Sequence, residues 1–228
     1  MVKINKTKKA PKRITCQKHY QGGVVFETIR NDFYRKCYLC EDRPQDVHVE
    51  HFIHHNGNRE LKYKWENLFY ACSRCNNMKG TEYDDIIDCT KIDPEERIRF
   101  YYNCYPMCEP TFEIKCGDGT DQDKKTVELL EKIFCKPPTA MKADTAQNLC
   151  DALFEEGMDF LRDLKKYEKA VETGENIEKY FTYVVDHLSK GARFAAFFRT
   201  FARENYPRTY EKAMEKLVEQ KVLPVESA

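Results

Sequence analysis

Residues 37–80 read CYLCEDRPQDVHVEHFIHHNGNRELKYKWENLFYACSRCNNMKG, and this stretch decides the fold. It holds two C-x2-C pairs, Cys37/Cys40 and Cys72/Cys75, separated by 31 residues. Each pair can turn both thiolates toward one point, and four sulfurs complete the tetrahedral shell that Zn²⁺ accepts. A structural zinc has no open position, so such an ion holds the fold and performs no chemistry. A lone C-x-x-C would suit a redox pair equally well. Two pairs flanking a His-rich segment point to metal.

Between the pairs, Val47-His-Val-Glu-His-Phe-Ile53 alternates and reads as a strand. A polar loop follows from His54 to Lys64, then Trp65-Glu-Asn-Leu-Phe-Tyr-Ala-Cys72. Ser73 to Gly80 reads as one short helix that Gly80 ends. Upstream, Val24 to Lys36 has Val25, Ile29 and Phe33 on one helical stripe. Downstream, Arg97–Tyr102 and Thr111–Lys115 are short alternating runs that suggest a β-hairpin. From Asp121 the pattern turns helical. Val127, Leu130, Ile133 and Phe134 form one stripe, and Leu149, Leu153, Phe160, Leu164 and Tyr167 a second. Asn176 is placed to cap a third helix, the Phe-rich run after Ala192 forms a fourth, and Pro207 opens a last one. The expectation is an α+β fold: a zinc-bound finger, a small β element and a mainly α-helical C-terminal half. The segments are residues 1–36 (basic arm and helix), 37–85 (finger), 86–140 (β element and helix) and 141–228 (helical region).

Composition narrows the class. No stretch of the 228 residues approaches the ~20 apolar residues of a membrane span. MVKINKTKKAPKRI lacks the apolar run of a signal peptide. Eleven cysteines, an odd number without such a leader, suit reduced thiols in the cytoplasm. Cys104, Cys108 and Cys116 cluster, but their spacing fits no standard knuckle, so they read as buried small hydrophobes. The formal net charge of zero hides a division: residues 1–80 carry 16 Lys/Arg against 8 Asp/Glu, and residues 81–228 carry 22 against 30. The basic front suggests a polyanion as partner.

The finger also carries a resemblance. Glu50-His51 at a strand end, Asn67-Leu68 midway, and Cys75-Asn76 followed by Lys79 resemble the HNH endonuclease motif, which folds as a ββα finger around a divalent ion. The chemistry suits the residue types. Phosphodiester hydrolysis needs a water deprotonated near neutrality, and His has an unperturbed pKa of ~6.5. It also needs a hard cation against the phosphate oxygens, for which carboxylate and carboxamide oxygens are suitable ligands. The resemblance implies His51 as general base and Glu50 and Asn76 as ligands of a catalytic Mg²⁺ or Mn²⁺. It implies that Asn67 braces the loop, and that Arg74, Lys79 and the basic arm contact phosphate. Two features depart from the motif. His54 stands where the family has proline, and four histidines (His48, His51, His54, His55) crowd eight positions, so His48 or His55 also stand as ligand candidates.

MVKINK at the start, Tyr63-Lys-Trp-Glu-Asn-Leu68, Lys125-Thr-Val-Glu-Leu-Leu130 and Ser189–Arg199 are similar to a subgroup of bacterial HNH proteins. That subgroup includes the PtuB component of Septu-type anti-phage defence, paired with an ABC-type ATPase, PtuA. It implies a nuclease acting on DNA with a PtuA-like partner, docked through aromatics of the rear half such as Phe197 and Phe201. The alternatives are a stand-alone restriction or homing-type HNH nuclease, and a catalytically silent zinc module that binds nucleic acid or protein.

Overall fold

The computed structural model of the chain describes residues 1–15, 22–103, 109–136 and 140–222. In chain order its elements are α1 (Lys12–Thr15), α2 (Gly23–Asp32), β1 (Val47–His51), α3 (Arg59–Lys62), β2 (Leu68–Cys72), α4 (Ser73–Lys79) and α5 (Pro94–Arg97). Then come β3 (Ile98–Asn103), β4 (Glu109–Ile114), α6 (Asp121–Phe134), α7 (Ala140–Thr173), α8 (Ile177–Leu188), α9 (Ala195–Asn205) and α10 (Pro207–Val222). The expected α+β architecture is present, with two two-stranded sheets and the helices concentrated in the rear half. No helix among the described residues is long and apolar enough to cross a membrane.

β1 and β2 are antiparallel, pairing Val47 with Cys72 and His51 with Leu68. Every residue of β2, Leu-Phe-Tyr-Ala-Cys, is buried, because α2 covers the strand and α4 closes over the hairpin. Phe69 is the hub. Its ring lies 5.3 Å from that of Phe33, 4.9 Å from Tyr38 and 4.8 Å, stacked, from Phe52. Aromatic burial at these separations adds to the area term that makes such clusters the strongest part of a small core. α4 ends at Gly80, whose φ of +51° suits a residue without a Cβ.

The rear half packs around a second aromatic cluster. β3 and β4 pair Phe100 with Phe112, and those rings meet Phe134 of α6 and Phe197 of α9 at centroid distances of 5.6–5.8 Å. Phe198 stacks on Phe160 of α7 at 5.0 Å. Phe197 is 1% exposed and Phe201 is partly buried against the same core. The docking face expected at these two aromatics is therefore corrected: their rings pack into the core, since helix α9 is enclosed by β3, α8 and α10. Gly157 lets α7 pass close to Tyr102, where a Cβ would meet a ring carbon at 2.7 Å.

Finger and rear half share one hydrophobic core. The Glu41 carboxylate accepts from the Ala196 N–H at the start of α9 (2.9 Å), and the Lys36 ammonium donates to the Ala192 carbonyl (2.5 Å). Arg199 pairs with Glu95 at 2.8 Å, both buried, and caps the Leu188 carbonyl at the end of α8. Three local expectations change. The basic front is not an arm throughout: Met1, Val2 and Ile4 are buried, and Lys6 donates to the carbonyls of Trp65 and Leu68 beneath the Trp65 ring. Burial brings the Lys6 pKa down to about 8. Lys8, Lys9 and Lys12 are exposed. Asn176 stands at the N-cap of α8 but in left-handed backbone, with no side-chain cap bond. Cys116, expected as a buried small hydrophobe, is exposed, and Cys104 and Cys108 lie outside the described residues.

Candidate functional site

The knuckles converge as the spacing requires. One sulfur from each of Cys37, Cys40, Cys72 and Cys75 lies within 4.8 Å of the others, and all four residues are buried. Tetrahedral zinc with Zn–S bonds of ~2.3 Å needs sulfurs about 3.8 Å apart, so the cluster fits the ion. Cys72 is the N-cap of α4, and its sulfur accepts from the Cys75 N–H at 3.3 Å. Hydrogen bonds from Cys37, Cys40 and Cys75 pull the Cys72 thiol far below its ordinary range, while the shared protons push Cys40 and Cys75 up. Such a proton-sharing set gives up its protons together when a thiolate-binding ion enters.

His51 closes β1 at the end of the hairpin away from Cys72: it pairs with Leu68, whereas Cys72 pairs with Val47. Its Nε2 lies 2.9 Å from the Lys62 carbonyl oxygen at the end of α3. A carbonyl only accepts, so Nε2 carries the proton and the lone pair of the neutral ring resides on Nδ1. Burial lowers the His51 pKa below the ordinary 6.5; the Lys62 carbonyl acts in the opposite direction, and the neighbouring His55, Lys62 and His54 lower it further. The His55 ring packs edge-on at 4.7 Å. The result is a half-buried imidazole with fixed tautomer, held neutral near physiological pH.

Asn67 sits in the turn before β2 and is 4% exposed. Its side chain accepts from the Ile53 N–H (2.7 Å) and donates to the Ile53 carbonyl (2.8 Å) and the Leu61 carbonyl (3.2 Å). It thus ties together the loop on both sides of His51's partner segment.

Glu50, one residue earlier, points to the opposite face of the strand and is 4% exposed. One oxygen accepts from the Tyr38 hydroxyl (3.2 Å) and pairs with the Lys79 ammonium (3.2 Å); the other is buried without a hydrogen-bond partner. Burial, opposed by Lys79, pushes its pKa up to about 8. The unmet oxygen is a hard donor lacking a partner, which is what a divalent ion would satisfy. Asn76, half-buried on α4, carries a second oxygen donor. By donor chemistry alone, a carboxylate oxygen and a carboxamide oxygen suit a hard cation.

The expected phosphate contacts meet a different arrangement. Lys79 is fully buried, with its ammonium 3.2 Å from Glu50, 3.3 Å from Asp84 and over the Phe52 ring. It is a counter-charge inside the finger and does not face solvent. Arg74 is held by the Thr145 hydroxyl (2.9 Å) and the Ile133 carbonyl, so it joins α4 to α6 and α7. Among the other histidines, His48 is exposed beside Asp46, and His54 is bound to Asp84. The sequence reading missed Tyr38 and Asp84. Tyr38, the large aromatic between the first two cysteines, carried a visible signal; Asp84, beyond the helix, carried none.

A ββα finger with this histidine, this brace and four clustered thiols defines a class, and the comparisons agree. Residues 37–82 match the family model described as HNH endonuclease, so the chain carries an HNH domain there. The chain is 34% identical over 76 residues to the Septu protein PtuB of Bacillus thuringiensis. That alignment spans 30% of this chain and 30% of the length of the relative.

Proposed function

We propose that this chain is a metal-dependent HNH endonuclease that hydrolyses phosphodiester bonds of DNA. The observation that carries the reading is the His51–Lys62 hydrogen bond, which fixes the Nε2–H tautomer and so makes Nδ1 the basic nitrogen of the neutral ring. In the proposed reaction His51 Nδ1 takes a proton from water, the water oxygen forms a bond to phosphorus, and the bond from phosphorus to the leaving deoxyribose oxygen breaks. The leaving oxygen takes a proton from solvent, and His51 returns its proton to solvent. Glu50 and Asn76 would hold a Mg²⁺ or Mn²⁺ ion, which supplies positive charge against the phosphate oxygens. Asn67 holds the loop that aims His51. Lys8, Lys9 and Lys12 supply sequence-independent phosphate attraction, and the Cys37/Cys40/Cys72/Cys75 cluster holds zinc.

The likeness to a Septu protein supports a setting in anti-phage defence with an ABC-type ATPase partner. The test is twofold. Purified chain is incubated with duplex DNA, single-stranded DNA and RNA, with Mg²⁺ or Mn²⁺ and with EDTA. The same chain is co-expressed with a PtuA-type ABC ATPase and any complex is isolated. Metal-dependent cutting of DNA supports the reading; a chain that cuts nothing, alone or in complex, contradicts it.

A further inference from the structure

The carboxylate of Asp84 lies five residues beyond Lys79, outside every motif position, yet it touches the loop that follows His51 at two points. Its Oδ2 accepts from the His54 N–H at 3.0 Å, and its Oδ1 stands 2.9 Å from His54 Nδ1. The same Oδ1 lies 3.3 Å from the Lys79 ammonium, whose other carboxylate partner is Glu50 at 3.2 Å. A chain of charge-assisted contacts therefore runs from Glu50 through Lys79 and Asp84 to His54. It ends on the residue next to Ile53, which the Asn67 brace grips.

We infer that Asp84 is a positioning residue for His51: with Asn67 it clamps the segment from Phe52 to His55 and so fixes where His51 is aimed. This rests on the nuclease reading above. The physics is direct. The N–H groups of Ile53 and His54 both point at side-chain carbonyl or carboxylate oxygens, so two consecutive peptide units of the loop have their directions set. The loop outside these bonds has no regular secondary structure until α3. The bond to the N–H is also strengthened by the carboxylate charge. Hydrogen bonds from His54 and the Lys79 charge hold the Asp84 carboxyl below the ordinary carboxylate range, against the effect of its partial burial. Asp84 thus stays an acceptor across the neutral range. By sharing Lys79, it also leaves Glu50 with only part of that ammonium's attention.

The experiment compares the full chain with Asp84→Ala, Asp84→Asn and His54→Ala. Amide hydrogen exchange is read for residues 52–56, with kcat and KM on DNA, zinc content and melting temperature alongside. Asp84→Ala should speed exchange of this segment at least tenfold. It should lower kcat by about tenfold to a hundredfold, the scale of a catalytic group misplaced by an ångström, with KM changed less than about threefold. Asp84→Asn keeps an oxygen for the His54 N–H and should fall between. His54→Ala, which keeps its backbone N–H, should resemble Asp84→Asn. Unchanged exchange in Asp84→Ala overturns the clamp. Faster exchange with unchanged kcat overturns the positioning role, as does a kcat loss that tracks zinc or melting temperature in all three variants. A parent chain that cuts nothing would sink the nuclease reading, and the exchange rates would still decide the clamp.

Discussion

Asn67 holds both backbone polar groups of Ile53 with one side chain, the N–H at 2.7 Å and the carbonyl at 2.8 Å. A carboxamide is the shortest group that can donate and accept in this fork. Asn67→Ala removes three hydrogen bonds to part-buried backbone groups of Ile53 and Leu61, each worth about 0.5–1.5 kcal/mol. Chemical denaturation should show a loss of a few kcal/mol, and kcat should fall with it. Asn67→Asp should rescue only the Ile53 N–H bond and recover part of the stability. Full stability in Asn67→Ala would contradict the brace.

The zinc centre makes its own prediction. Elemental analysis should find one zinc per chain, and Cys37→Ser or Cys72→Ser should give unfolded or insoluble protein, because binding energy at a structural zinc is folding energy. Folded, zinc-free chain with native melting temperature would contradict it.

Phe197→Ala separates core from docking surface. The ring is 1% exposed and meets five other aromatics. The substitution should cost about 3–5 kcal/mol in denaturation experiments, as for a large aromatic removed from a packed core. A variant as stable as the parent would place the ring outside the core.

The finger and the helices were legible because they rest on local signals. The C-x2-C spacing located the knuckles, the alternation from Val47 located β1, and Gly80 marked the end of α4. The stripes at Leu149–Tyr167 and Val127–Phe134 became α7 and α6. What escaped was decided by tertiary packing. Lys79 read as a solvent-facing cation, yet two carboxylates, Glu50 from β1 and Asp84 just beyond α4, draw it inside. Phe197 read as an exposed aromatic because a Phe-rich run does not show which rings face the core, and only the elements packed against α9 show that this one is covered. The burial of Met1, Val2 and Ile4 was hidden by the lysines interleaved with them. Asp84 follows no spacing rule; it matters through a contact 30 residues back in the chain.

The lowered His51 pKa sets the pH profile. The ring is the base only when neutral, and burial with its cationic neighbours keeps it neutral to below its ordinary 6.5. The base-competent fraction is therefore largest on the alkaline side and is lost as pH falls through the lowered pKa. Plotted against pH, kcat/KM at saturating metal should fall on the acid side with a midpoint below 6.5. A limb assigned to histidine that lies above 6.5 would contradict the environment described for His51.

The most direct test of the central claim is single-turnover cleavage of DNA by His51→Ala. General-base removal should slow cleavage by ~10²–10⁴, while zinc content, melting temperature and DNA affinity stay near those of the parent chain. Cleavage at the parent rate by folded, zinc-loaded His51→Ala protein would contradict the account.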